Sequence, residues 1–477
     1  MPIDSLVMVG YLLAMVAVGW WAARRAGTKS EFLVAGRRLG YTMYSGTMSA
    51  VVLGGASTVG GVRLGYLYGI SGAWLVLTIG LGVLGLSLLF ARRITRLRVY
   101  TVSEMLQLRY GGSAASISGV VMWIYALMLM VTSTIACSTI FGVLFGMDRV
   151  SSVVLGGGIV VLYSVLGGMW SITLTDMVQF VVKTIGILFV LLPIAVGRAG
   201  GFDGLYAALP AEYFSLWHIG AETILTYVLV YFFGLLIGQD IWQRVFTARD
   251  DKVATVGGTF SGLYCLLYAF AGAVVGMAAK ALFPTLASPD DAFATIVTEA
   301  LPTGMRGLVL AAALAAVMST ASGALIACAT VASNDIWPRV RALLGRSGEV
   351  DEVRTARVFT LVLGVIGIAV ASLLQDVVGA LTVAYNLLVG GLLVPILGGL
   401  VWRRGTRQGA LASIVAGGVA VVVLMSTHGI LANEPVMWGL PISLVTYVVV
   451  SLATPPTEDA LLAAWQERLA GQTGEKQ

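Results

Sequence analysis

Ser49-Ala-Val-Val-Leu-Gly-Gly-Ala-Ser-Thr-Val-Gly-Gly61 places four glycines, Gly54, Gly55, Gly60 and Gly61, inside a run that is otherwise long and apolar enough to be one regular helix. Within a bilayer a break of this kind frees backbone carbonyls at mid-membrane, where they can ligate an ion or a solute. Glycines also let helices pack closely, and taken alone this stretch fits either reading.

The rest of the chain supplies the membrane. Of 477 residues, 58% are hydrophobic and 11% are charged, and the mean hydropathy is +0.92. That is more apolar surface than one soluble core hides, so lipid is the solvent. Runs of roughly 20 apolar residues, the length that crosses a hydrocarbon core, predict about thirteen transmembrane helices. They lie near 4–23, 42–66, 71–91, 115–145, 150–168, 170–198, 220–246, 253–283, 305–336, 355–374, 376–402, 408–427 and 436–454.

Asp4 precedes the first run and Arg24 and Arg25 follow it, the reverse of a signal peptide's charge order. It reads as a retained helix with its N-terminus outside. Of 29 Lys and Arg residues, 23, including Lys476 in the tail, then fall on the cytoplasmic side. Arg63, Arg149, Arg198, Lys280 and Arg306 fall outside, and Lys183 is left within a helix. This is the positive-inside pattern of a multi-pass inner-membrane protein with a cytoplasmic C-terminus, and it accounts for the net charge of +5 without nucleic acid. Cys137, Cys265 and Cys328 all sit in apolar runs and read as small packing residues.

No connection is long enough to fold as an aqueous domain. Thr101-Val-Ser-Glu104 reads as a capping box opening a short helix, Asp290 to Leu301 as another, and the tail beyond Pro455 as a surface helix. A second weakened helix lies at Gly234 to Gln239. The two weak points each begin a block of five spans, 42–198 and 220–402, and an odd number of spans per block gives inverted repeats. Residues 1–41 then form a peripheral helix and loop, 403–454 two further peripheral helices, and 455–477 a cytoplasmic tail.

Four motifs carry a resemblance. Tyr163-Ser-Val-Leu-Gly-Gly-Met-Trp-Ser-Ile-Thr-Leu-Thr-Asp-Met-Val-Gln179 resembles the signature of the sodium:solute symporter family. Gly238-Gln-Asp-Ile-Trp-Gln-Arg-Val-Phe-Thr-Ala-Arg249 is similar to the family's Gln-Arg segment. Ala315-Ala-Val-Met-Ser-Thr-Ala-Ser322 looks like the sodium-site helix of the proline branch, and Phe32-Leu-Val-Ala-Gly-Arg-Arg38 matches the approach to the first broken helix. The resemblance implies an all-α membrane fold of two inverted five-helix repeats, like the leucine transporter, with peripheral helices added.

Sodium takes about five or six hard oxygens, by the logic that governs other hard cations. Ser319 and Thr320 offer adjacent hydroxyls, and Ala316 lends a carbonyl on the same face. The family match implies carbonyls from Ala50 and Leu53 in the broken helix, completing a five-residue sodium site. Membrane serines and threonines ordinarily bond back to an i−4 carbonyl, and only the motif argues otherwise. Asp176, a costly carboxylate inside the membrane, is implied by the family to attract sodium or direct its release. Some relatives bind a second sodium with two further serines; here Ser322 is followed by Gly323, which favours one sodium per solute.

The solute is expected between the broken helices and the span 376–402. Candidates are Ala56, Ser57 and Thr58 after the break, Gln239 on the second broken helix, and Tyr385 with Asn386 at the positions matching the family's solute-facing turn. Tyr385 and Asn386 fit interhelical packing equally well. The span 71–91 lacks the polar groups of sugar-binding relatives, and the aromatic residues of choline-binding relatives are missing. Two cations, Lys183 and Arg63, could attract a carboxylate or amino-acid solute. Lys183 lies at i+7 from Asp176, and in an alternative reading it pairs with Asp176 and stands in for the ion in a sodium-independent or proton-coupled transporter. Arg63 also fits snorkelling to the outer interface, and Asp240 has Arg244 at i+4 as a plain partner.

The expected function is therefore sodium-coupled uptake of a small organic solute by alternating access. With two histidines, His218 and His428, and no Ser-His or Cys-His arrangement, no catalytic constellation is legible. A sensor would carry a larger cytoplasmic domain, and no channel filter motif appears.

Overall fold

The computed structural model describes residues 2–346, 348, 350–374, 377–430 and 432–471. The end of the tail, with Lys476, lies outside them. Among the described residues the chain is helical throughout, with one isolated bridge between Leu39 and Ala248.

Helix α1 (Pro2–Ala23) docks through its first turn: Asp4 Oδ1 accepts from the N–H groups of Gly304 and Gly307 at 2.7 and 2.8 Å. The next crossing is interrupted, as the glycines imply. Helix α2 (Tyr41–Val52) ends, Leu53 and Gly54 leave the helical region with ψ of 76° and −158°, and α3 (Gly55–Tyr68) resumes. A side chain at Gly54 would lie 2.4 Å from Thr320 Oγ1, so glycine is needed there for the break to lie against the helix carrying Ser319 and Thr320.

The chain turns at Gly69, with φ of +65°, into α4 (Trp74–Gly85). Helix α5 (Gly112–Phe145) follows, then α6 (Arg149–Lys183), which is kinked at Gly168 with φ of 52° and ψ of −136°. A Cβ on Gly168 would stand 2.4 Å from the Phe32 carbonyl, so the signature's glycine fixes both a turn and a close approach. The second weak point bends by 42°, and Gly238 separates α7 (Phe233–Ile237) from α8 (Gln239–Thr247). Beyond it run α9 (Asp251–Leu282), α10 (Met305–Val331), α11 (Glu352–Leu373), α12 (Val377–Val401), α13 (Arg407–His428), α14 (Glu434–Ala453) and α15 (Asp459–Ala470).

Ten continuous stretches among the described residues are long and apolar enough to cross a membrane, eleven with the bent pair at Gly238. Two of them, of 43 and 50 residues, are about twice the length of one crossing. Each carries a glycine with positive φ, Gly69 at +65° and Gly168 at +52°, close to where the thirteen-helix reading of the sequence divides it in two.

Burial sorts the crossings into centre and periphery. The apolar part of Met305–Leu343 is wholly buried, against about a third of that of α1 and α14. Alanines at 311–313, 315 and 316 leave α10 slim enough for α1, α5 and α6 to close around it. Large apolar side chains on outer faces, such as Leu6, Phe189 and Leu267, are exposed to lipid.

The expected surface helices form. Thr101 accepts from Glu104 N at 3.0 Å to open Val102–Tyr110. Glu104 reaches back to Tyr100 N at 2.8 Å, one residue before the donor a capping box uses. In α15, Trp465 donates to the Gly399 carbonyl at 3.0 Å and fastens the tail helix to α12.

Candidate cation and solute site

The last carbonyls of α2 have no helical partner beyond the break. Three side chains converge on them. Ser319 Oγ donates to Ala50 O at 2.8 Å and Ala316 O at 2.9 Å. Thr320 Oγ1 donates to Val51 O at 2.8 Å and Ala316 O at 3.4 Å. Lys183 Nζ, fully buried, donates to Ser49 O, Ala50 O and Leu53 O at 3.0, 3.3 and 3.2 Å.

The five residues expected to hold sodium thus share one hydrogen-bonded patch. Its oxygens, three carbonyls and two hydroxyls, are neutral, hard and enclosed, a donor set suited to a small monovalent cation. Two of the carbonyls, Ala50 and Leu53, are meanwhile occupied by the Lys183 ammonium. A sodium ion there would be held by Ala50, Leu53, Ala316, Ser319 and Thr320 once those two carbonyls turned from the ammonium.

Asp176 has other partners than the lysine. Its Oδ2 accepts from Thr47 Oγ1 at 2.5 Å and pairs with Arg244 Nη2 at 3.1 Å, with both charged side chains fully buried. The local pair read between Asp240 and Arg244 is therefore corrected: after the bend at Gly238, Arg244 turns inward to Asp176. Asp240 instead accepts from the Tyr125 hydroxyl at 3.1 Å. A buried carboxylate left without a cation costs about 3–5 kcal/mol, far more than the few tenths that an exposed i+4 pair contributes.

The solute candidates divide. Ala56 is exposed on the first turn of α3, whose N-terminus has no side-chain cap. Ser57 and Thr58 are buried beside it, and Thr58 Oγ1 shares a 2.8 Å hydrogen bond with Tyr268 Oη. The Tyr268 ring faces Lys183 Nζ, 5.9 Å from its centroid, linking α3 to the ion patch. Tyr385 packs edge-on to Tyr125 and Tyr231 with centroids 5.4 and 5.5 Å away. Asn386 is 1% exposed, and neither its amide nitrogen nor its oxygen has a partner among the described residues.

Gln239 and Arg63 are engaged elsewhere. The Gln239 amide accepts from Val102 N at 2.8 Å and donates to Tyr100 O at 3.1 Å, tying the break at Gly238 to the loop helix Val102–Tyr110. Arg63 Nε meets Asp290 Oδ1 at 2.7 Å in a partly exposed pair. Thr47, Ser49, Arg244 and Tyr268 were not read as site residues from the sequence. The signal for Arg244 was present as a cation within a motif that also has to sit near a membrane carboxylate.

The model of the sodium:solute symporter family matches residues 32–417. The chain is 27% identical to a sodium/glucose cotransporter 4 of Danio rerio, over 88% of this chain and 71% of that one. It is 26% identical to a sodium/pantothenate symporter of Escherichia coli (strain K12), over 93% and 95%. Among solved structures, a Na+-coupled sialic acid symporter in a substrate-bound outward-open state superposes with a TM-score of 0.83 at 17% identity, covering 96% of this chain and 98% of that one.

Proposed function

The chain belongs to the sodium:solute symporter family, and from that premise we propose that it couples sodium entry to uptake of a small carboxylate-bearing solute, such as an organic acid or amino acid. It is a multi-pass membrane protein with the leucine-transporter-like fold. In this reading it lies in the inner membrane with the N-terminus outside and the C-terminus cytoplasmic. Residues 42–198 and 220–402 are the inverted repeats that rock about the site.

The observation that carries the proposal is the polarity of the break. Helix α2 ends in carbonyls satisfied by side chains rather than by its own backbone, the negative end of its dipole, while α3 begins at Gly55 with no side-chain cap on its first N–H groups. One interruption therefore favours a cation on one side and a carboxylate on the other, a few residues apart. Ala50, Leu53, Ala316, Ser319 and Thr320 hold sodium, and bound sodium supplies the positive charge that draws the solute. Ala56, Ser57 and Thr58 receive the carboxylate, and Tyr385 and the unpartnered Asn386 amide face the remainder of the solute.

Asp176 lies on the cytoplasmic side of this arrangement and stays paired with Arg244, where it offers a negative charge along the ion's way out. Gln239 and Arg63 are left to hold the fold. The relatives are named for glucose and myo-inositol as well as for pantothenate and proline, so the carboxylate reading rests on the polarity of the break and not on their names. At about 100 mV, inside negative, one sodium supplies about 2.3 kcal/mol, and a tenfold gradient about 1.4 kcal/mol more. That total drives roughly 500-fold accumulation of a neutral solute.

The experiment is thermal stabilisation of the purified protein by carboxylates, amino acids, sugars and nucleobases, each in sodium and in potassium. A carboxylate that stabilises only in sodium is the expected result. Stabilisation by sugars alone would replace the carboxylate reading.

A further inference from the structure

We propose that Lys183 is a tethered cation that occupies the ion site between transport events and competes with sodium for it. This rests on the reading that Ala50, Leu53, Ala316, Ser319 and Thr320 form the sodium site.

An ammonium has three N–H donors, and Lys183 places them on Ser49 O, Ala50 O and Leu53 O, all within 3.3 Å. Its donor capacity is filled by backbone, and two of the three carbonyls are expected sodium ligands. Among the described residues no carboxylate pairs with it, because Asp176, on the same helix, is bound to Arg244 and Thr47. What stabilises the buried charge is the carbonyl end of α2 and the face of Tyr268, whose centroid is 5.9 Å away. The carbonyls supply the kind of stabilisation a sodium ion would take from the same place.

Two consequences follow from the geometry. Without sodium, the end of α2 still has a cation, so the broken helix keeps its carbonyls satisfied. With sodium present, two unit charges about 4 Å apart repel strongly enough, at an effective dielectric constant of about 20, to weaken sodium binding on the order of a thousandfold unless the ammonium withdraws. Beside the ammonium stands the Tyr268 ring, whose hydroxyl is hydrogen-bonded to Thr58 on the first turn of α3. There a solute carboxylate would meet the displaced ammonium, so solute and sodium would each help the other to bind.

The test needs only sodium as a probe. Thermal stabilisation is titrated with sodium against potassium at constant ionic strength, without solute, in wild type, Lys183→Gln and Lys183→Met. The glutamine amide still donates to carbonyls without charge, so a fold that tolerates only a hydrogen-bonding side chain is preserved in one variant. The expected result is a half-saturating sodium concentration at least tenfold lower in both neutral variants than in wild type. An unchanged value in variants that do respond to sodium would overturn the competition alone. No response to sodium in any of the three proteins would overturn the sodium site and this proposal with it.

Discussion

Asp176 and Arg244 form a fully buried ion pair, 3.1 Å from carboxylate oxygen to guanidinium nitrogen, that fastens α8 to α6. Breaking such a pair by removing one partner leaves an uncompensated buried charge, at a cost of about 3–5 kcal/mol. Arg244→Met should therefore lower thermal stability sharply, and Arg244→Met combined with Asp176→Leu should recover much of the loss. Melting curves of the two variants in detergent decide it, and a double variant no better than the single one would show that the residues act independently.

Gly54 and Gly60 lie six residues apart and should behave oppositely. A methyl at Gly54 would meet Thr320 Oγ1 at 2.4 Å, while one at Gly60 meets no atom within 4 Å. Gly54→Ala is expected to cost about 1–3 kcal/mol by overpacking and to push the end of α2 from Ser319 and Thr320. Gly60→Ala, inside α3, should stabilise by up to about 1 kcal/mol. Thermal melts with and without sodium separate the two, since only the first should also weaken the sodium response.

Asn386 and Gln239 were expected together at the solute site, and their hydrogen bonds now distinguish them. Asn386→Leu should reduce solute affinity about tenfold or more while leaving sodium-induced stabilisation intact, because its amide is free of other partners among the described residues. Gln239→Leu should leave Val102 N and Tyr100 O without their partner and cost about 1–3 kcal/mol of stability. Solute titrations by calorimetry, alongside melting curves, read both effects. Equal loss of solute affinity in the two variants would return Gln239 to the pocket.

Much of the fold was legible because lipid imposes a simple rule: backbone polar groups must pair within helices, so departures must be marked by glycine. Gly54, Gly168 and Gly238 all mark real interruptions. That Ser319, Thr320 and Ala316 share one face was legible because they lie within one helical turn, while Ala50 and Leu53 came only from the family resemblance. What the chain did not reveal was which helix each charged side chain would face. Arg244 has Asp240 at i+4, and nothing local says that the bend at Gly238 turns it to Asp176 instead. Lys183 stands two turns from Asp176, which suggests a pair, yet its long side chain crosses to the carbonyls of α2. Those destinations depend on packing between helices far apart in sequence.

The central claim is that solute uptake is coupled to sodium at the break between α2 and α3. The most direct test is uptake into proteoliposomes of a solute found by stabilisation, with an inward sodium gradient or with potassium in its place. Wild type should accumulate the solute above equilibrium only with the sodium gradient, with labelled sodium entering alongside it, and Ser319→Ala should do neither. Accumulation that is the same with potassium, or that survives unchanged in Ser319→Ala, would contradict it.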